Sequence, residues 1–274
     1  MALKLRLGTV ATSIVAYAIT IVIVFPIVWM VLTGFKSEVD AYQMPPSLIF
    51  SPILDNLNDA LNSGIMTYIY HSVIAVGGST IVALALGIPA AFALVWHPRK
   101  SNEGILFWLI STKFMPAVGV LIPLYVIFKD LHLLDSLWAL VIVYTAVNLP
   151  LVVWLMHSFF SDIPKDLLEA GRVDGASDWQ VLRSIILPIS LPGIAVAALL
   201  SVIFSWNEFL FAVTFTYTHA PTVPVFVSSY MTAEGLFWAR MSMALSLAIV
   251  VPVLLGWAAQ RQLIRGLTLG AVKG

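Results

Sequence analysis

The chain has 274 residues, 60 % of them hydrophobic and 10 % charged, with zero net charge and a mean hydropathy of +0.98. Soluble domains carry about a quarter charged residues, and a soluble helix bundle needs a wetted face on each helix, so this composition belongs to an integral membrane protein. A neutral chain has no basic footprint for nucleic acid, and the absence of cysteine removes disulfides, iron–sulfur clusters and thiol catalysis. The five histidines (His71, His97, His132, His157, His219) lack metal-ligand spacing and read as membrane-interface residues.

Lys4 and Arg6 precede an apolar run, Val10 to Leu32, of about 23 residues. The run is long enough to span a bilayer and lacks a small-x-small cleavage site before Gly34, so it reads as a span and not as a signal peptide. Windows of about twenty apolar residues then place six spans near 10–33, 68–96, 104–128, 136–159, 190–215 and 240–260. The first is followed by a polar segment with Lys36, Glu38, Asp40, Pro45-Pro46, Asp55 and Asp59. Gly77-Gly78 and Gly87 offer close-packing positions in the second, which ends at His97-Pro98-Arg99-Lys100. The third is expected to break at Pro116 and Pro123, and the fourth carries Asn148-Leu149-Pro150 near its middle. Residues 216–239 are fairly apolar but interrupted by His219, Pro221, Pro224 and Glu234-Gly235, and read as a re-entrant or surface-packed loop. Residues 261–274 form a tail.

Orientation follows the Lys and Arg count of each side. The side holding the N-terminus, 97–103, 160–189 and the tail carries Lys4, Arg6, Arg99, Lys100, Lys165, Arg172, Arg183, Arg261, Arg265 and Lys273, ten in all, against three (Lys36, Lys129, Arg240) on the other. Both termini are expected in the cytoplasm.

One stretch departs from this apolar pattern. Between 162 and 192, eight charges fall within about twenty residues: Asp162, Lys165, Asp166, Glu169, Arg172, Asp174, Asp178 and Arg183. Short turns suffice to join helices, so a polar segment of this length has a purpose of its own. Asp162 is expected to cap a helix with Pro164 in its first turn, and Asp174-Gly175 to stop it. Ser177 with Gln180 makes a capping box for a second short helix, expected to end before Pro188 and Pro192. The result is two amphipathic helices about a glycine turn outside the bilayer, a docking surface.

The spacing within this stretch is specific: Glu169-Ala170-Gly171, three residues, Gly175, nine residues, Ile185, one residue, Leu187-Pro188. It resembles the EAA motif of permease subunits of binding-protein-dependent ABC importers, departing only in Gly171 where the motif has a second alanine. TKFMPAVGVLIPLY, WNEFLFA and the ending QRQLIRGLTLGAVKG are similar to the sugar-type permeases, particularly the second permease of maltose-like systems. The resemblance covers the whole chain. It implies a type I ABC importer permease fold, all-α with six transmembrane helices, in which residues 1–274 form one permease domain and 162–188 a cytoplasmic coupling loop. It also implies that the helix bearing Glu169, Ala170, Gly171 and Gly175 docks in a groove of a cytoplasmic ATPase dimer and that a second, related permease completes the pore. A periplasmic or lipid-anchored binding protein would deliver a sugar or polyol. ATP and Mg would be bound by the ATPase, because this chain has no G-x-x-x-x-G-K-[ST] pattern, and no cofactor is expected here. A permease for another solute (glycerol phosphate, phosphate, amino acid) shares the loop motif; a secondary carrier or an embedded enzyme is the different-class alternative, with no nucleophile–base pattern to support the latter.

Lys113, Asn148, Asn207 and Glu208 are the candidate pathway residues within the spans. A charge at mid-depth costs roughly 2.5–3.5 kcal/mol on insertion scales, so Lys113, beside Pro116, must face the bundle interior or a cavity, as a pathway residue, an internal partner or a snorkelling side chain. Asn148 could line the same path or bond between helices. Asn207 and Glu208, late in the fifth span, could line an outer gate or cap the interface.

Overall fold

The computed structural model describes residues 2–97, 99–233 and 235–271. Pro98, Glu234 and Lys273 of the readings above lie outside them. Where the sequence reads as one continuous domain, packing sorts the described chain into two compact units, one of residues up to 66 with 227–249 and one of 67–226 with the segment from 250 onward.

In the first unit, α1 (Ala2–Gly34) runs straight through Pro26. Its apolar stretch, Thr12–Gly34, is exposed over most of its length and buried only at its last residues, Thr33 and Gly34, which leaves a surface for lipid or another subunit. Two short helices follow, α2 (Glu38–Tyr42) capped by Ser37 and α3 (Asp55–Asn62). The polar connection is tied down by its own side chains. Buried Asn56 donates to the carbonyls of Gly34 and Lys36 at 2.9 and 2.8 Å. Lys36, which counts as an outer charge in the sequence, is 2 % exposed. Its ammonium donates to the Ser47 carbonyl at 2.8 Å and lies over the Trp29 and Phe50 rings, so cation–π contact replaces water.

The second unit holds two apolar clusters. It begins in α4 (Ile65–Trp96), whose first two residues belong to the other unit. The expected third span breaks sharply: α5 (Asn102–Ser111) and a 3₁₀ turn (Thr112–Phe114) meet α6 (Ala117–Asp130) at 92°. Only Pro116 breaks the helix. Pro123 lies inside α6 without interrupting it, as Pro150 does in α7 (Leu137–Ser161). The charged stretch forms α8 (Lys165–Val173) and α9 (Asp178–Val181), continued by a π-helical segment (Leu182–Ile186) and a last turn, α10 (Leu187–Ile189).

Two local expectations are corrected here. Asp162 ends α7, and Pro164 occupies the N-cap of α8 without a side-chain cap. The second helix does not stop before Pro188. The π-helical segment shifts the hydrogen-bond pattern just ahead of it, so the missing N–H is absorbed and the helix breaks at Ser190, bending 80° into α11 (Leu191–Trp206). Then come α12 (Leu210–Phe215) and α13 (Val223–Ser228), the latter ending in the first unit. A two-residue hairpin, β1 (Met231–Thr232) and β2 (Gly235–Leu236), and α14 (Trp238–Ala248) belong to the first unit, and α15 (Val250–Ala271) to the second. The described residues of 216–239 thus hold a six-residue helix and a hairpin.

In the first unit, Glu38 accepts from the Ala239 and Arg240 amides, capping α14. Gly34 lies so close to α14 that an added Cβ would sit 3.0 Å from the Met243 backbone. Tyr230 donates to Asp59 at 3.4 Å, and burial, then the carboxylate, push its phenol up to about 12.

In the second unit, α4, α7, α8, α9 and α11 share one core (Phe92, Trp96, Val152, Met156, Phe160, Leu168, Val181, Ile186, Ala197), while α4, α6, α7 and α12 share the other (Phe128, Tyr144, Phe211, Phe215). Glycine sets the spacing: a Cβ at Gly87 would fall 2.6 Å from Val152, and one at Gly193 2.5 Å from the Phe159 ring. Among the described residues four helical stretches are long and apolar enough to cross a membrane, Thr12–Gly34, Ile65–Trp96, Leu137–Ser161 and Trp238–Gln262, or up to six if each bent pair counts as one span.

Candidate functional site

The charged stretch folds into an elbow whose corner is Gly175, at φ +80°, a left-handed conformation that glycine adopts without a Cβ penalty. The capping box forms as its residues require: the Ser177 amide donates to Gln180 Oε1 at 2.7 Å, and the Gln180 amide to Ser177 Oγ. Two further contacts fix the angle. Gly171 is buried, with room for a Cβ only 3.1 Å from Ile185 and Val181, and Arg172 spans the corner to Asp178 at 3.0 Å. Arg172 therefore pairs across the turn.

Asp178 also meets His97 Nε2, at 2.9 Å, from the residue after α4. The Arg172 hydrogen bond is the largest influence holding its carboxyl below the ordinary carboxylate range; the Arg172 and His97 charges add to it. His97 is a member of this cluster that sequence reasoning passed over, because no spacing rule links it to a residue 81 positions later. Beneath the charges, Leu168, Val181, Leu182 and Ile186 enter the core with Trp96 and Phe160. The elbow is thereby keyed to α4 and α7. Gly175 is a fixed corner and not a free hinge.

The outer surface of the elbow is unsatisfied. Glu169 and Ala170 are exposed. Val173 is 87 % and Trp179 60 % exposed. Of the other motif residues, Ile185 and Leu187 are half-buried and Pro188 is exposed on the last helical turn.

The polar residues of the spans separate into different roles. Asn148 is 1 % exposed and donates to the Tyr144 carbonyl at 3.0 Å and to Ser205 Oγ at 2.8 Å, a bond between α7 and α11. Asn207 closes α11 and donates back to Ile203 at 2.7 Å. Glu208 accepts from the Phe211 and Ala212 amides at 3.0 to 3.2 Å and so caps α12. Lys113 is different. Its ammonium donates to the Val147 carbonyl at 3.0 Å, lies 5.2 Å from the centre of the Phe204 ring, and borders a cavity of about 440 Å³.

A further carboxylate was invisible in the sequence. Asp135, at φ +56°, accepts from the amides of Tyr217, Thr218, His219 and Ala220 at 2.9 to 3.3 Å, clasping the loop after α12 to the turn before α7. Burial pushes its carboxyl up, but the four amides outweigh this and hold it below the usual range.

Residues 83–264 match the family model described as "Binding-protein-dependent transport system inner membrane component". The chain belongs to this family. It is 37 % identical over 253 residues to a probable ABC transporter permease protein, y4oR, of Sinorhizobium fredii (92 % of this chain, 91 % of the relative). It is 31 % identical over 264 residues to the trehalose/maltose transport system permease protein MalG of Thermococcus litoralis (94 % and 95 %). Among solved structures, a bacterial ABC transporter involved in the import of the acidic polysaccharide alginate superposes with a TM-score of 0.71 at 19 % identity, covering 94 % of this chain and 96 % of that one. The fold is the type I ABC importer permease fold. As a permease of this family the chain is a pore component and not an enzyme, and it works with an ATPase and a substrate-binding protein.

Proposed function

We propose that this permease forms half of the translocation path for a sugar or polyol, paired with a second, related permease, and that the elbow is its coupling element. The single observation that carries the coupling role is the elbow's geometry: a rigid, exposed corner bearing the motif residues, rooted in the core beside α4 and α7. Rigidity matters because a lever transmits only the displacement it does not absorb. Closure of an ATPase dimer against Glu169, Ala170 and Val173 would move Leu168, Val181 and Ile186, and through them the spans. Exposed Val173 and unpaired Glu169 are the contacts such a groove would take up. ATP and Mg stay with the ATPase. The sugar assignment rests on relatives such as the trehalose/maltose permease, and Lys113, Asn148, Asn207 and Glu208 remain the candidates for the path, Lys113 first among them. Both termini and the elbow face the cytoplasm in this reading.

The experiment is a pair of substitutions in the assembled transporter. No atom lies within 4 Å of a Cβ at Gly175, but its φ of +80° strains any side chain placed there, in Gly175→Trp more than in Gly175→Asn, so Glu169→Lys, which leaves the backbone alone, is the control for that strain. The expected result is normal membrane insertion for both, uptake lost in Gly175→Trp, and uptake largely kept in Gly175→Asn. Glu169→Lys should resemble Gly175→Trp. Substrate-stimulated ATPase activity at wild-type level in Gly175→Trp and Glu169→Lys would remove the docking role.

A further inference from the structure

Lys113 sits at the break between α5 and α6, a bent helix pair apolar enough to lie in the membrane, where a lone charge is poorly tolerated. Of its three N–H donors the Val147 carbonyl takes one. Among the described residues no carboxylate lies in ion-pair range of it: Asp178 pairs with His97 and Arg172, and Glu208 is committed to the amides of α12. The charge is eased only by one carbonyl and by the Phe204 ring, whereas a cation within an apolar span is costly unless it is paired. An arriving anion would remove most of that cost.

The surroundings have the form of a ligand site. The cavity's volume of about 440 Å³ lies in the range of small-molecule pockets, which pair apolar walls with a few placed polar groups. Its walls are Met115, Val120, Leu124, Val143 and Phe211, and Lys113 is the charged residue among its lining. Thr112, also at the rim, spends its hydroxyl proton on the Leu109 carbonyl. Non-helical backbone at membrane depth is tolerated only where it is covered by protein or lines a cavity, and the Met115-Pro116 break lines this one.

We propose that this cavity is a solute subsite selective for a sugar acid, the ring lying against Phe211 and the apolar wall while its carboxylate pairs with Lys113. The proposal rests on the permease reading above. A neutral sugar could accept a hydrogen bond from the ammonium but would leave its charge uncompensated in the span, so the discrimination resides in charge and not in shape.

Lysine footprinting of the assembled complex in phosphatidylcholine nanodiscs tests this directly, with glucuronate as the probe and glucose as its neutral counterpart. Acetylation at Lys113, read by mass spectrometry, should slow at least threefold in saturating glucuronate and less than 1.5-fold at the same concentration of glucose. Equal protection by the two sugars, or none by either, overturns the subsite. So does a Lys113 that the reagent never reaches, since a second permease or a lipid would then fill the space. ATP hydrolysis by the same preparation separates the two levels: an active complex without glucuronate protection loses the subsite alone, whereas a chain that assembles with no ATPase removes the permease reading and the subsite with it.

Discussion

Two glycines that look alike in sequence have opposite tolerances. At Gly193 the nearest atoms to an added Cβ are ring carbons of Phe159, at 2.5 to 2.9 Å, the closest being Cγ at the root of the ring, which cannot retreat as the tip of a flexible side chain can. At Gly171 they are Ile185 Cδ1 and Val181 Cγ2, each at 3.1 Å; Ile185 is half-buried, and its Cδ1 is the far end of a flexible side chain. Replacing a helical glycine by alanine gains about 1 kcal/mol of propensity, while forcing extra volume into a packed site costs about 1–3 kcal/mol. Gly193→Ala is therefore expected to lower the melting temperature of the detergent-solubilised chain. Gly171→Ala, which restores the usual motif residue, should leave both melting temperature and uptake close to wild type. A marked loss at Gly171→Ala would mean that the elbow is packed more tightly than its side-chain tips indicate.

At the scale of elements, the Asp135 clasp yields a dependence on acid. The carboxylate accepts four amides at once, and its proton affinity is depressed relative to an ordinary aspartate. A depressed carboxyl contributes stability that is present above the ordinary carboxylate range, near 3.9, and lost as pH falls through the lower, folded value. Protection of the amides of residues 217–220 against hydrogen exchange is expected to hold at neutral pH and collapse in strong acid. Asp135→Ala should abolish it at every pH. An unchanged protection pattern in Asp135→Ala would show that the loop is held by its apolar residues alone. The elements themselves were partly legible in advance. The capping box at Ser177 and the turn at Gly175 follow from local chemistry, so the sequence states them. Pro188 misled because a π-helical segment ahead of it changes which residue needs a donor. Pro123 misled because a proline inside a packed span can be carried by its neighbours. The clasp was unreadable: four consecutive backbone amides carry no side-chain pattern, and Asp135 announces itself only through the fold. Lys36, counted as a surface charge, is buried for a similar reason, its aromatic partners lying up to 14 residues away in the chain.

For the whole molecule, the open matter is which face of the membrane each loop occupies, and contacts within the second unit bear on it. His97, in the connection after α4, pairs with Asp178 in the elbow. Asp135, in the connection before α7, clasps residues 217–220 beyond α12. Side chains that touch lie on the same side of a bilayer, so the 97–103 and 160–189 connections share one face and the 129–136 and 216–222 connections share one. An even count of crossings from the first to the second member of each pair satisfies this, and the six spans read from the sequence supply it: the third and fourth (104–128, 136–159) separate the first pair, and the fourth and fifth (136–159, 190–215) the second. On the Lys and Arg bias, the proposed orientation puts the elbow in the cytoplasm. The chain's lack of cysteine makes the assignment testable without a stripped background. Lys165→Cys, at the exposed start of α8, and Thr218→Cys, exposed in the clasped loop, each introduce the chain's single thiol. A membrane-impermeant maleimide applied to spheroplasts is expected to label Thr218→Cys and spare Lys165→Cys; applied to inside-out vesicles it should do the reverse. Exchange of the two patterns would invert the orientation and move the elbow away from any cytoplasmic ATPase. Labelling of both from one side would mean an even number of crossings between them, and would break the six-span order while leaving the contacts of each pair intact.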